Sequence, residues 1–92
     1  MYLEIVSPEA ILFKGEVESL ILPGSSGSFQ LLNNHAPIVS SLKPGDVKII
    51  GNIYIEKSVE TNFISESPNV TLFRINSGTI EMKENKVILL SN

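Results

Sequence analysis

The stretch from Leu20 to Asp46 constrains the fold most, because it carries three punctuated turns separated by short apolar runs. Pro23-Gly24 supplies the first, with glycine reaching positive φ at no steric cost. Asn33-Asn34 supplies the second, since both asparagines tolerate the left-handed region. Lys43-Pro44-Gly45-Asp46 is the third and clearest, with proline then glycine at its centre. A chain that reverses this often builds a small β structure and sets unusual residues along one rim.

The rest of the chain agrees, with a period of two almost throughout. Strands are expected at Tyr2–Val6, Ile11–Phe13, Val17–Leu22, Ser28–Leu32, Ile38–Leu42, Val47–Ile50, Ile53–Glu56, Val70–Ile75, Thr79–Met82 and Lys86–Leu90. Gly15 reads as a bulge or bend. Gly51-Asn52 reads as a two-residue hairpin turn between Val47–Ile50 and Ile53–Glu56. Val59–Ile64 is taken as an extension of that region, closed by Ser67-Pro68-Asn69, and Glu84-Asn85 turns a last hairpin. Nine or ten short strands at regular spacing predict an all-β fold, a sandwich or barrel, and no segment offers a convincing helix. With 92 residues, positions 1–92 form one domain.

Composition excludes several functions. Seven basic residues stand against 10 acidic ones, a net charge of −3, which argues against nucleic acid as a partner because phosphate neutralisation needs a basic surface. There is no cysteine, so no disulfide frame, thiolate metal site or thiol catalysis is available. No apolar run approaches the roughly 20 residues that span a bilayer, so direct membrane insertion is not expected. The sequon Asn69-Val70-Thr71 reads as coincidence.

No catalytic constellation emerges. His35 is the only histidine, without cysteines or a carboxylate cluster to complete a metal site, and it reads as a loop residue that bonds backbone or meets a partner. Gly24-Ser25-Ser26-Gly27-Ser28 lacks the Gly-Lys-Ser/Thr of a phosphate loop. Glu16 and Glu18 lie two apart and read as a solvated strand face. Ser7, Ser40 and Ser41 have no activating partner. The residues alone therefore describe a binding or assembly module, with polar glycine-rich loops at one end and apolar strands partly exposed. No cofactor is expected. A carbohydrate- or peptide-binding sandwich stays open, though the chain has no tryptophan to line a rim. A small enzyme is the remaining alternative.

Several motifs stand in a fixed order: Leu3-Glu4-Ile5-Val6-Ser7-Pro8-Glu9, Leu12-Phe13-Lys14-Gly15-Glu16-Val17, Leu22-Pro23-Gly24, His35-Ala36-Pro37, Leu42-Lys43-Pro44-Gly45, Ser77-Gly78-Thr79-Ile80-Glu81-Met82 and Asn85-Lys86-Val87-Ile88-Leu89-Leu90. This order resembles the N-terminal domain of the epsilon subunit of bacterial F-type ATP synthase, over nearly the whole chain. The resemblance implies a ten-stranded β-sandwich. It implies a non-catalytic central-stalk subunit that links the gamma subunit to the membrane c-ring, couples proton-driven rotation to ATP synthesis, and meets the alpha/beta head only indirectly. It implies a peripheral place at the cytoplasmic face of the bacterial inner membrane.

By the same resemblance, Ser7, His35, Ala36, Pro37 and Ser40 correspond to the gamma-facing side, and Gly27, Ser28 and Phe29 to the loop that faces the c-ring. The family often carries an acidic residue at the position of Ser28, and Gly-Ile-Leu-Pro-Gly where this chain has Gln30-Leu31-Leu32-Asn33-Asn34. The region Ile55 to Leu72 matches least and is expected to hold a longer hairpin. Most bacterial members continue past the Val-Ile-Leu-Leu strand into an inhibitory helical hairpin, with an ATP site in some. Since the sequence stops at Asn92, both functions are expected to be missing from this chain.

Overall fold

Period-two alternation in the sequence becomes alternation of burial in the fold. A computed structural model describes residues 1–92. In chain order the elements are β1 (Tyr2–Val6), β2 (Ile11–Glu16), β3 (Ser19–Gly24), β4 (Gly27–Leu31), β5 (Ile38–Leu42), β6 (Gly45–Ile50), a 3-10 segment (Lys57–Asn62), β7 (Phe63–Ser67), β8 (Val70–Ile75), β9 (Gly78–Lys83) and β10 (Lys86–Ser91). Leu3 and Ile5 of β1, Leu20 and Leu22 of β3, Val47 and Ile49 of β6, Ile80 and Met82 of β9, and Val87 and Leu89 of β10 are all buried. Each of these pairs is two residues apart, as one face of a strand requires.

Hydrogen bonding joins the strands in the order β2-β1-β10-β9-β5-β3-β6-β8-β7, with β4 beside β3. Only β1 and β10 run parallel. The path folds over on itself, so β2-β1-β10-β9-β5 form one layer of an all-β sandwich and β4-β3-β6-β8-β7 the other. Seventeen buried apolar residues from both layers make one core.

The fold-over has a simple construction. Strand β5 pairs with β9 as far as Leu42–Gly78, and β6 pairs with β8 from Gly45–Ile75 onward. Two residues intervene on each side, Lys43-Pro44 and Asn76-Ser77, so one register runs through the corner. The four strands are thus a single long ribbon bent from one layer into the other. Pro44 suits the bend because it has no N–H to leave unpaired. Gly78 suits it because a Cβ there would stand 2.5 Å from the Leu90 carbonyl oxygen.

The β3–β4 hairpin locks this corner from the side. Gly24 pairs with both Gly27 and Leu42, and the Lys43 N–H donates to the Pro23 carbonyl at 2.9 Å. A Cβ on Gly24 would meet the Gly27 carbonyl oxygen at 2.6 Å and the Phe29 ring at 2.8 Å. Pro23 and Gly24 therefore belong to β3 and do not form the turn expected of them; Ser25-Ser26 turns instead. In an antiparallel strand a residue's nitrogen and carbonyl point the same way. Pro23 thus aims its donor-less nitrogen toward the corner, where the ladder to β6 has already ended at Ile21.

The expected Gly51-Asn52 hairpin does not form. Both edges of β6 are taken, one by β3 and the other by β8, which leaves no ladder for Ile53–Glu56. That segment keeps its alternation without a partner strand: Ile53 and Ile55 pack on the core, while Tyr54 is exposed. Residues 59–62, expected to extend a strand, lie in the 3-10 segment, and the hairpin of this region is β7–β8, turned at Pro68-Asn69. Asn34, Glu84 and Asn85 have positive φ, as their expected turns require. Lys43-Pro44-Gly45-Asp46, expected as a tight turn, is instead the corner of the ribbon, with Gly45 and Asp46 already in β6.

The close approach at the corner predicts that Gly78→Ala lowers the stability of the domain by about 1–3 kcal/mol through overpacking. Ser28→Ala, at an exposed position, should stay within about 0.5 kcal/mol of the parent. Urea midpoints for the two variants measure the difference.

Candidate functional site

The outward face of the first layer is a grid that the registers define. One row reads Ile11–Val6–Leu90–Thr79–Ser41, the next Lys14–Glu4–Ile88–Glu81–Val39, and the next Glu16–Tyr2–Lys86–Lys83. The third row is charged and tied together: Lys86 Nζ lies 3.8 Å from Glu4 and 5.6 Å from the centre of the Tyr2 ring. The other two hold a diagonal apolar stripe, Val39–Ile88–Leu90–Val6, with Ile11 at its end. Val39 is 74% exposed and Leu90 51%, a large apolar presentation for a domain of this size. Val39, Thr79, Ile80, Glu81, Ile88 and Leu90 line a shallow cleft of about 220 Å³ on this face.

Of the residues expected to face gamma, Ser7 and His35-Ala36-Pro37 sit at the two ends of the stripe. His35, Ala36 and Pro37 are exposed and lead into β5 just before Val39. The loop is shaped by an asparagine network: the Asn34 N–H donates to Asn85 Oδ1 at 2.7 Å, and Asn85 Nδ2 donates to Asn33 Oδ1 at 3.0 Å. The Met1 amino group donates to the same Asn33 oxygen at 2.9 Å. His35 donates its N–H to the Leu32 carbonyl at 3.1 Å, and Nδ1, in its protonated tautomer, donates to the Ala36 carbonyl at 2.7 Å. His35 is thus a backbone-bonding loop histidine.

Ser7 lies at the opposite end of the strands, roughly 15 Å of strand away at about 3.3 Å per residue. Its hydroxyl closes the β1–β2 loop, donating to the Ala10 carbonyl and accepting the Ala10 N–H, both at 3.2 Å. Ser40 is half-buried and donates to the Ser41 carbonyl at 3.2 Å. Ser7 and His35 therefore do not meet; the apolar stripe is what connects them.

Gly27 and Ser28 are exposed beside the hairpin tip, at the Ser7 end of the molecule. Ser25 anchors this tip to β5, its N–H donating to the Ser41 carbonyl at 3.2 Å with the two hydroxyls 3.1 Å apart. Phe29 turns the other way and is half-buried against the core, its ring over Gly24. It supports the loop from beneath. Asp46 and Arg74 pair at 3.5 Å nearby.

Glu16 and Glu18, expected on one strand, instead flank the β2–β3 link around buried Val17. Sequence reasoning placed Asn85 in a turn but not in the site, since that role depends on Asn33 and Asn34 being brought against it from another hairpin. It also missed Val39, Ile88 and Leu90 as a surface, although the unbroken run Val87-Ile88-Leu89-Leu90 puts apolar residues on both faces of one strand and carries that signal.

Comparison with known proteins gives a consistent result. Residues 1–92 match the family described as ATP synthase, Delta/Epsilon chain, beta-sandwich domain. An ATP synthase epsilon chain of Leptospira borgpetersenii is 41% identical over 88 residues, covering 96% of this chain and 58% of its own length. One from Chlorobaculum tepidum is 37% identical over 89 residues, covering 97% of this chain and 85% of its own. The chain thus spans less than two thirds of the Leptospira relative. Among solved structures, a chain from the central stalk and c-ring of the Tetrahymena thermophila mitochondrial ATP synthase superposes with a TM-score of 0.75 at 13% identity, over 98% of this chain and 61% of that one. At that identity the likeness is one of fold.

The asparagine network generates a direct expectation. Asn85→Gly keeps the positive φ that the turn needs but removes the side chain that holds Asn34. Hydrogen exchange at the Asn34 amide should speed up by about tenfold, with a loss of about 1 kcal/mol in global stability.

Proposed function

The chain belongs to the ATP synthase Delta/Epsilon chain β-sandwich family, and on that footing we propose that it is a non-catalytic rotor subunit of an F-type ATP synthase, docked on the gamma subunit and resting on the c-ring. The observation that carries this reading is the exposed apolar stripe Val39–Ile88–Leu90–Val6 on the first layer. A rotor part transmits torque, and a stable, partly apolar interface does this better than scattered exposed ion pairs. Gamma lies along the stripe, from His35, Ala36 and Pro37 at one end to the Ser7 loop at the other. Ser40, which alternates with Val39 and Ser41 and so faces away from the stripe, backs the strand that carries it.

The Gly27-Ser28-Phe29 loop meets the c-ring. With Ser28 in place of an acid, it makes hydrogen bonds there and no salt bridge. Phe29 acts by holding the loop's shape. Rotation of the ring then passes through this domain to gamma and so, indirectly, to the alpha/beta head. No helix is long and apolar enough to cross a membrane. The place proposed is peripheral, at the cytoplasmic face of the cell membrane. No group of His, Asp and Glu residues could hold a metal ion, and the proposed role needs neither metal nor cofactor. A thinly stable domain of this size also gains stability from such a partner.

Titration of this chain against the gamma subunit tests the reading. Val39→Glu places a charge in the centre of the stripe and should weaken binding by about a hundredfold, roughly 2.7 kcal/mol, with little change in domain stability because Val39 is exposed. His35→Ala should weaken it less. Unchanged gamma affinity in both variants would overturn the assignment of this face.

A further inference from the structure

One residue does not fit an apolar docking stripe. Glu81 lies in the row Ile88–Glu81–Val39, with an apolar neighbour on each side. It lines the cleft beside Val39, Ile88 and Leu90 and, on its other side, a polar cleft shared with Lys83, Glu84 and Lys86, and takes part in none of the four ion pairs. The cations around it are Lys83, two residues along the same strand face, and Lys86, which is already engaged with Glu4 at 3.8 Å. Both belong to the charged row, outside the stripe. While the face is open to water, the Glu81 carboxylate is solvated and costs nothing. Once a partner covers Val39 and Ile88, the same carboxylate loses its water, and an unpaired charge in such a place is strongly unfavourable.

We propose that Glu81 is a specificity residue of the docking face, and that the partner's surface brings one Arg or Lys cation to it, set among apolar side chains that cover Val39, Ile88 and Leu90. This inference rests on the docking of the gamma subunit proposed above. The partner is thereby selected twice: by apolar shape along the stripe, and by a single positive charge at one point on it. A surface with apolar residues alone is rejected, because it would strand the carboxylate.

The alternative role for Glu81 is protective: an outward charge that keeps an apolar strand face from sticking to other chains. The two roles predict opposite signs for one substitution. Glu81→Leu enlarges the apolar stripe. If the carboxylate only guards the surface, removing it tightens gamma binding; if it pairs with a cation, removing it strands that cation and weakens binding.

The experiment is a calorimetric titration of the gamma subunit with the parent chain and with the Glu81→Leu, Glu81→Gln and Val39→Glu variants, at low and high salt, with circular dichroism confirming the fold. The expected result is a Kd for Glu81→Leu raised by about tenfold or more, a similar rise for the isosteric Glu81→Gln, and a shallower salt dependence in both. Should Glu81→Leu fail to fold, Glu81→Gln alone decides. Loss of binding in Val39→Glu together with unchanged or tighter binding in the Glu81 variants overturns the cation pairing and leaves the docking face standing. Full gamma binding by Val39→Glu overturns the docking face, and the pairing with it.

Discussion

The structure depends on one bent ribbon. Strands β5–β6 and β8–β9 keep a single register through the corner at Lys43-Pro44 and Asn76-Ser77, and this carries the chain from one layer to the other. A bend in a paired ribbon must lose hydrogen bonds or bring backbones close. Here proline removes one donor where the ladder lapses, and glycine at Gly78 admits the Leu90 carbonyl. Once the ribbon folds over, the inward faces of β9 and β6 look at one another. Ile80, Met82, Val47 and Ile49 then become the centre of a core that neither layer could bury alone. The β3–β4 hairpin adds to one edge of the bent ribbon and clamps the corner through Gly24 and Lys43.

The same bend distributes the surface. It leaves β5 at the rim of its layer, so Val39 has a strand neighbour on one side only and stands largely exposed. It brings the Ser25-Ser26 tip against Ser41, fixing the proposed ring-facing loop to the strand that carries the proposed gamma-facing one. A short rigid strand, β5, therefore joins the two proposed contacts. That is a suitable arrangement for a part that passes torque, since force applied at the hairpin tip is carried by ladder hydrogen bonds and not by a free loop.

Much of this was legible in the residues, and the failures are informative. Tyr2–Val6, Ile38–Leu42 and Val70–Ile75 are strands with the expected bounds, because each is a short apolar-rich run bounded by proline, glycine or asparagine turn signals. The Gly51-Asn52 hairpin failed through competition: two other strands already occupied both edges of β6, and alternation cannot count edges. Pro23-Gly24 failed because a proline next to a lapsing ladder is harmless within a strand, a circumstance set by the corner two strands away in sequence. At the candidate site, His35 was read correctly as a loop residue bonding backbone. Asn85 was read correctly as a turn residue, but its side-chain role in the loop was not legible, because its partners Asn33 and Asn34 come from a different hairpin.

By itself the sequence determined the class of fold, the number and place of most reversals, the absence of a thiol site, and the family, through ordered motifs that survive as local turn chemistry. The tertiary structure alone decided which strands share an edge, where the chain passes between layers, and what surrounds each outward side chain. The physical reason is that a period of two specifies the two faces of a strand but not its neighbours. Val39, Glu81 and Ile88 are separate letters until the ladders of β5, β9 and β10 set them in one row. Only there does a carboxylate between two apolar residues acquire a meaning.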